Sequence, residues 1–191
     1  MKKYTLLFFI AIMAISCKTA EFGFTTIDVN GMVYDFSNRP VANYEISLGG
    51  KLSASTDING RFSLPKTPVG SYIITGYKKN YENYSEEVII KDVGQIIYIR
   101  IPSQNQLLGM VDEALSAINI ASAEKIIERA YRIDENNIEM LFYYATVMFR
   151  QHEYDKAIGL LEKTKSLGSK DVYIDKFLMK LREVHGVNQE S

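Results

Sequence analysis

From Thr25 to Ile101 apolar and polar residues alternate, and beyond Ser103 the rhythm changes. A period of two marks half-buried strands, because successive side chains of an extended chain point to opposite faces. Ile27, Val29 and Met32 to Tyr34 predict a first strand with a bend at Gly31. Ala42 to Leu48, Leu52 to Thr56, Arg61 to Leu64, Tyr72 to Tyr77, Glu86 to Ile90 and Gln95 to Ile101 predict six more. Asp57-Ile58-Asn59-Gly60 reads as a hairpin turn in which Asn-Gly supplies the positive φ angles. After Pro102 the apolar positions fall at helical spacing: Leu107, Leu108, Val111, Ala114, Leu115 and Ile118, then Ala123, Ile126, Ile127, Ala130 and Ile133. Two more helices follow the polar break Asp134 to Asn137, and Asp171 to Val184 predicts a closing helix with Gly186 at its end. The fold class predicted is α+β in two domains. A seven-stranded antiparallel β-sandwich spans 26–101, and an array of about five helices spans 104–186.

The helical half is periodic. Leu107 and Leu141, Ala123 and Ala157, and Ile127 and Leu161 are each separated by the repeat length of 34 residues. With Tyr144 and Ala145 on one helix and Tyr154-Asp155-Lys156-Ala157 on the next, the segment resembles the tetratricopeptide repeat. The first copy departs from the pattern at Val111, where a small residue is usual, and at Glu135, where proline is common. The resemblance implies a concave face carrying Leu108, Leu115, Phe142, Thr146 and Phe149, which would contact a protein or peptide partner. The carboxylate-binding variant of that groove uses lysine and asparagine where this chain has Phe142 and Thr146, so apolar anchors are implied. Phe142 and Phe149 are surplus to the repeat's own packing. They are expected to meet either a partner or, slightly favoured, the sandwich or the Gln104 helix.

The strand half carries a second resemblance. Gly31-Met32-Val33-Tyr34-Asp35, Pro40-Val41-Ala42-Asn43, Thr56-Asp57-Ile58-Asn59-Gly60-Arg61-Phe62 and Gly70-Ser71-Tyr72 are similar, in order, to the motifs of the carboxypeptidase regulatory-like domain. That family implies a prealbumin-like sandwich and no peptidase activity. A calcium loop at Asp57 and Asn59 would want a glutamate at its twelfth place, which is Pro68.

The N-terminus bears on location. Lys2 and Lys3 precede an apolar run, Tyr4 to Ile15, too short for the roughly 20 residues of a spanning helix. Ala14-Ile15-Ser16-Cys17 then resembles the lipobox of a bacterial lipoprotein signal peptide, implying residues 1–16 as signal, cleavage between Ser16 and Cys17, and acyl chains on Cys17. Residues 17–25 would be a tether. Lys18 stands where aspartate commonly retains such proteins at the inner membrane, so the resemblance implies a cell-envelope protein at the outer membrane. Cys17 is the chain's single cysteine, so no internal disulfide can form and both domains depend on their cores.

Composition narrows function by exclusion. A net charge of −1, with 22 basic and 23 acidic residues, gives no electrostatic footprint for nucleic acid. Phosphate loops, nucleophile elbows and His-Glu-x-x-His motifs do not occur. His152 and His185 read as solvated surface residues. The expectation is a non-catalytic, cofactor-free and metal-free interaction scaffold anchored to the membrane through Cys17. The rival is a glycan-binding sandwich using Tyr77, Tyr81 and Tyr84. Expressed in a bacterial host, the mature protein should gain the mass of its acyl chains and partition into detergent. A Cys17→Ala form that stays membrane-bound and is processed at the same bond would contradict this.

Overall fold

The computed structural model describes residues 25–189. The signal segment, Ser16, Cys17 and nearly all of the tether lie outside the described residues. Among the latter, seven strands in two sheets precede five helices, a two-domain α+β arrangement whose second half is a tetratricopeptide-like array.

The strands are β1 (Thr26–Tyr34), β2 (Glu45–Leu48), β3 (Leu52–Ser55), β4 (Arg61–Pro68), β5 (Gly70–Tyr77), β6 (Tyr84–Ile90) and β7 (Ile96–Arg100). They form sheets ordered β4-β1-β7 and β3-β2-β5-β6. Neighbours are antiparallel except for β1 and β7, which run parallel from Asn30 opposite Ile96 to Tyr34 opposite Arg100. The chain leaves β6 in one sheet and enters β7 in the other, which brings β7 alongside β1 in the same direction. Val29, Val33, Tyr44, Ile46, Leu48, Leu64, Ile74 and Ile99 fill the space between the sheets.

Local chemistry explains where expectation and structure part. β2 begins at Glu45 rather than Ala42, because Asn43 takes a positive φ of 51° and the Tyr44 N–H donates to Thr56 Oγ1 at 2.8 Å. In the β3–β4 turn Gly60 has the positive φ, at 74°, and Asn59 does not. The turn is held by Asp57 Oδ1, which accepts the N–H groups of Asn59 and Arg61 at 2.8 Å each. Gly31 serves packing rather than bending: the Phe62 ring lies against it, as the Tyr44 ring lies against Gly76, and a β-carbon at either glycine would collide with the ring. Asp35 is almost fully buried after β1. Burial pushes its carboxyl pKa up, but hydrogen bonds from the Arg39 backbone and side chain and from Ser37 outweigh that and hold it below the usual value.

The helices are α1 (Gln104–Ser116), α2 (Ile120–Ile133), α3 (Ile138–Arg150), α4 (Tyr154–Ser166) and α5 (Val172–Gln189). Residues 104, 138 and 172, which open α1, α3 and α5, follow the 34-residue period. So do Ile118 and His152, which occupy the two intra-repeat turns at positive φ of 56° and 65°. Ser103 and Gln106 form a capping box at α1, and Asn119 and Asn137 cap α2 and α3. α5 runs on through Gly186, so that glycine does not end it as expected. Leu107, Val111, Ile127, Leu141, Ala145, Leu161 and Leu181 lie in a second core, separate from the first. No helix among the described residues is long and apolar enough to cross a membrane.

A compact joint connects the domains. The Glu82 N–H donates to the Pro102 carbonyl at 3.0 Å, and the Gln104 N–H to the Asn80 carbonyl at 2.9 Å. Both Glu82 carboxylate oxygens receive the Arg129 guanidinium from α2, at 2.8 and 2.7 Å, in a half-buried bidentate pair. The buried Tyr44 hydroxyl donates to the Glu82 carbonyl at 3.3 Å. The Gln104 side chain, also buried, donates to the carbonyls of Ala130 and Asp134 and accepts from Asn137. One short segment, 80–82, is thus gripped by both domains. Arg129→Met should cost about 1–2 kcal/mol in urea unfolding, and adding Glu82→Gln should cost little more. Strictly additive losses in that double-mutant cycle would show that the pair is not the joint.

Candidate functional site

The repeat brings α1 and α3 side by side, leaving between them a cleft of about 550 Å³. Leu115 from α1 and Phe142 and Thr146 from α3 line it, so three of the five predicted partner-binding residues come together. Thr146 donates its hydroxyl to the Phe142 carbonyl one turn back, at 3.0 Å, which leaves its methyl group for the cleft. Asp112, Ser116, Glu139, Tyr143 and Arg150 form a polar rim. Burial, followed by the nearby Asp112 and Glu139 carboxylates, raises the Tyr143 phenol above its ordinary pKa, so it stays neutral and able to donate.

The other two predicted residues lie elsewhere. Leu108 is 3% exposed and belongs to the helical core, which removes it from any partner surface. Phe149 is turned toward α5. The Phe177 ring stands between the two phenylalanines of α3, 6.0 Å from Phe142 and 5.5 Å from Phe149, edge-on to each. Both surplus aromatics therefore meet the closing helix, and Phe142 also faces the cleft beside the Gln104 helix. Phe149 also meets Tyr154 at 6.1 Å, and Tyr154 meets His185 at 6.2 Å, continuing an aromatic row along the junction with α5.

Sequence reasoning passed over Phe177, a single aromatic on a weakly patterned helix, and the rim residues Asp112 and Ser116. The repeat period could have found the rim, because Asp112 and Ser116 sit 34 residues before Thr146 and Arg150. The histidines are not simply solvated: His152 Nδ1 lies 2.9 Å from the Tyr154 hydroxyl, and His185 Nε2 lies 3.0 Å from Asp155. Tyr77 and Tyr84 border a shallow trough of about 420 Å³ on the outer face of the four-stranded sheet, whereas Tyr81 packs at the joint beneath the Lys78 ammonium, 5.2 Å away. Among the described residues, no group of three or more His, Cys, Asp or Glu is placed to hold a metal ion.

Residues 116–175, from the end of α1 into α5, match the family model described as anaphase-promoting complex, cyclosome, subunit 3. Comparison with curated proteins yields no match. Among solved structures, the chain is similar to a type II cohesin–X–dockerin complex from Acetivibrio cellulolyticus, at 19% identity and a TM-score of 0.36, covering 42% of this chain and 60% of that one. It is similar also to the major pilin subunit BcpA of Bacillus cereus, at 17% identity and TM-score 0.35, covering 41% and 29% of the two chains. A third neighbour is 3-chlorocatechol 1,2-dioxygenase from Rhodococcus opacus, at 13% identity and TM-score 0.34, covering 41% and 60%.

Phe177→Ala should remove the closing helix's aromatic anchor and destabilise the helical domain by about 1–3 kcal/mol, less than a fully buried phenylalanine would cost. Far-ultraviolet circular dichroism in urea checks this, and an unchanged midpoint would mean that α5 is held by Ile174, Leu178 and Leu181 alone.

Proposed function

We propose that this chain is a non-catalytic envelope protein, tethered by lipid on Cys17, whose helical repeats hold a segment of a protein partner between α1 and α3. The observation that carries the reading is the cleft itself, an apolar floor of Leu115 and Phe142 with a polar rim, built from equivalent helices of two repeats. The family match over residues 116–175 supports a tetratricopeptide-like array and, with it, protein–protein interaction. Apolar anchors inside a hydrogen-bonding rim suit an extended or helical segment that buries one or two side chains.

The tether rests on the Ala14-Ile15-Ser16-Cys17 pattern, and outer-membrane placement on Lys18. The sandwich, which resembles a carboxypeptidase regulatory-like domain, is the rigid spacer between lipid and repeats in this reading. We assign no reaction to the cleft.

Leu115→Lys with Thr146→Lys tests the reading, since both residues are only half-buried and neither holds α5. In a pull-down from detergent-solubilised envelope, the double variant should recover the partner at least about tenfold less well, with its unfolding midpoint nearly unchanged. Equal recovery by wild type and variant would move the contact away from this cleft.

A further inference from the structure

A second cleft, of about 370 Å³, opens where the domains meet. Its walls are the end of β5 and the loop that follows, Tyr77 to Asn83, and the last turn of α2 with Arg132 and Asp134. Lys78, Lys79 and Arg132 face a single carboxylate there, in a chain whose net charge is −1. Lys78 is committed: its ammonium donates to the Ala42 carbonyl at 2.6 Å. Lys79 and Arg132 are exposed and have no ion-pair partner among the described residues.

Glu82, in the same loop, is not available to them, because Arg129 holds both its oxygens. Asp134 is partly satisfied in its own turn, accepting the Asn136 N–H at 2.9 Å. Among the described residues, the joint therefore leaves Lys79 and Arg132 without an ion pair. It also holds the backbone of the loop that carries Lys79, because Asn80, at a positive φ of 68°, has its carbonyl bonded to the Gln104 N–H of the other domain. Two unpaired cations on opposite walls of one cleft favour an anionic ligand.

The remaining lining selects the kind of anion. Tyr77 is 55% exposed at the lip, and the Asn80 and Asn83 amides stand beside it, so an aromatic face and paired donors and acceptors meet the ligand. Tyr77 and Asn83 border the trough on the outer sheet face as well, where Ser47, Thr75 and Ser85 present hydroxyls, so a ligand longer than one ring has a path onward. An acidic peptide would ask for apolar subpockets, whereas a sugar ring asks for a flat aromatic and hydrogen-bonding neighbours.

We propose that the inter-domain cleft binds an acidic glycan, with Lys79 and Arg132 on a sugar carboxylate and Tyr77 stacked on a ring. This site is independent of the α1–α3 cleft, and neither reading needs the other.

Calorimetry on the whole mature chain tests it, with tetragalacturonate, its fully methyl-esterified form and a tetraglutamate peptide as probes. Tetragalacturonate should bind, and more weakly as salt rises. Esterification, or Lys79→Glu with Arg132→Glu, should weaken binding by about tenfold or more. Tyr77→Ala should weaken it several-fold, and the charge control Lys51→Glu with Lys180→Glu should leave it unchanged. All the altered residues are exposed, and circular dichroism verifies folding. Lys79→Gln with Arg132→Gln, which removes charge without reversing it, should give the same loss if the reversed variant misfolds. Absence of tetragalacturonate binding, or equal affinity for the ester, overturns the proposal. Equal affinity for tetraglutamate, unaffected by Tyr77→Ala, overturns the choice of a glycan.

Discussion

The bidentate pair between Glu82 and Arg129 is the contact on which the arrangement of this molecule depends. Each domain has its own core, and neither core reaches into the other. Among the described residues, what sets their relative orientation is polar and local: the Glu82–Arg129 pair, a few backbone hydrogen bonds around residues 80–82 and 102–104, and the Gln106 amide donating to the Ser37 hydroxyl at 2.9 Å. A half-buried, two-point ion pair is suited to that task, because its planar geometry restricts rotation in a way that an apolar contact does not. Its second effect is electrostatic. With Glu82 taken by Arg129, Arg132, one helical turn further on, has no ion-pair partner among the described residues.

The helical half shows a similar economy. Two repeats make a short stack, and a short stack leaves an apolar flank at its end. α5 covers that flank, with Phe177 seated between Phe142 and Phe149. Covering closes part of that flank, and the cleft that stays open lies toward α1. It is narrower than the five residues expected from the repeat alone, and more polar at its rim.

Much of this was legible in the chain. Periods of two and near four, punctuated by Asn-Gly and Pro102, locate each strand and helix among the described residues, because core burial enforces those periods. The resemblance to the tetratricopeptide repeat likewise names Leu115, Phe142 and Thr146, which the structure brings together in one cleft. What could not be read depends on contacts between residues distant in sequence. Glu82 and Arg129 are 47 positions apart, and nothing in either one's neighbourhood names the other. Leu108 resembles Leu115 in type and spacing, yet only the approach of α3 decides that one is buried and the other is not. Gly31 reads as a bend in its strand, and turns out to be the seat for the Phe62 ring that arrives from β4.

The parallel pairing of β1 with β7 has a kinetic consequence. β1 is the first strand of the sandwich and β7 the last, so the sheet β4-β1-β7 cannot close until the chain is complete through Arg100. The helices, by contrast, form from contacts close in sequence, and such contacts are made quickly. Pro102 and Ser103 lie directly after β7, and the backbone of Glu82 bonds to Pro102. Docking of β7 is therefore also the event that presents the joint to α2. On this topology, closing the sandwich and setting the joint are one event, because both need β7 in place beside β1.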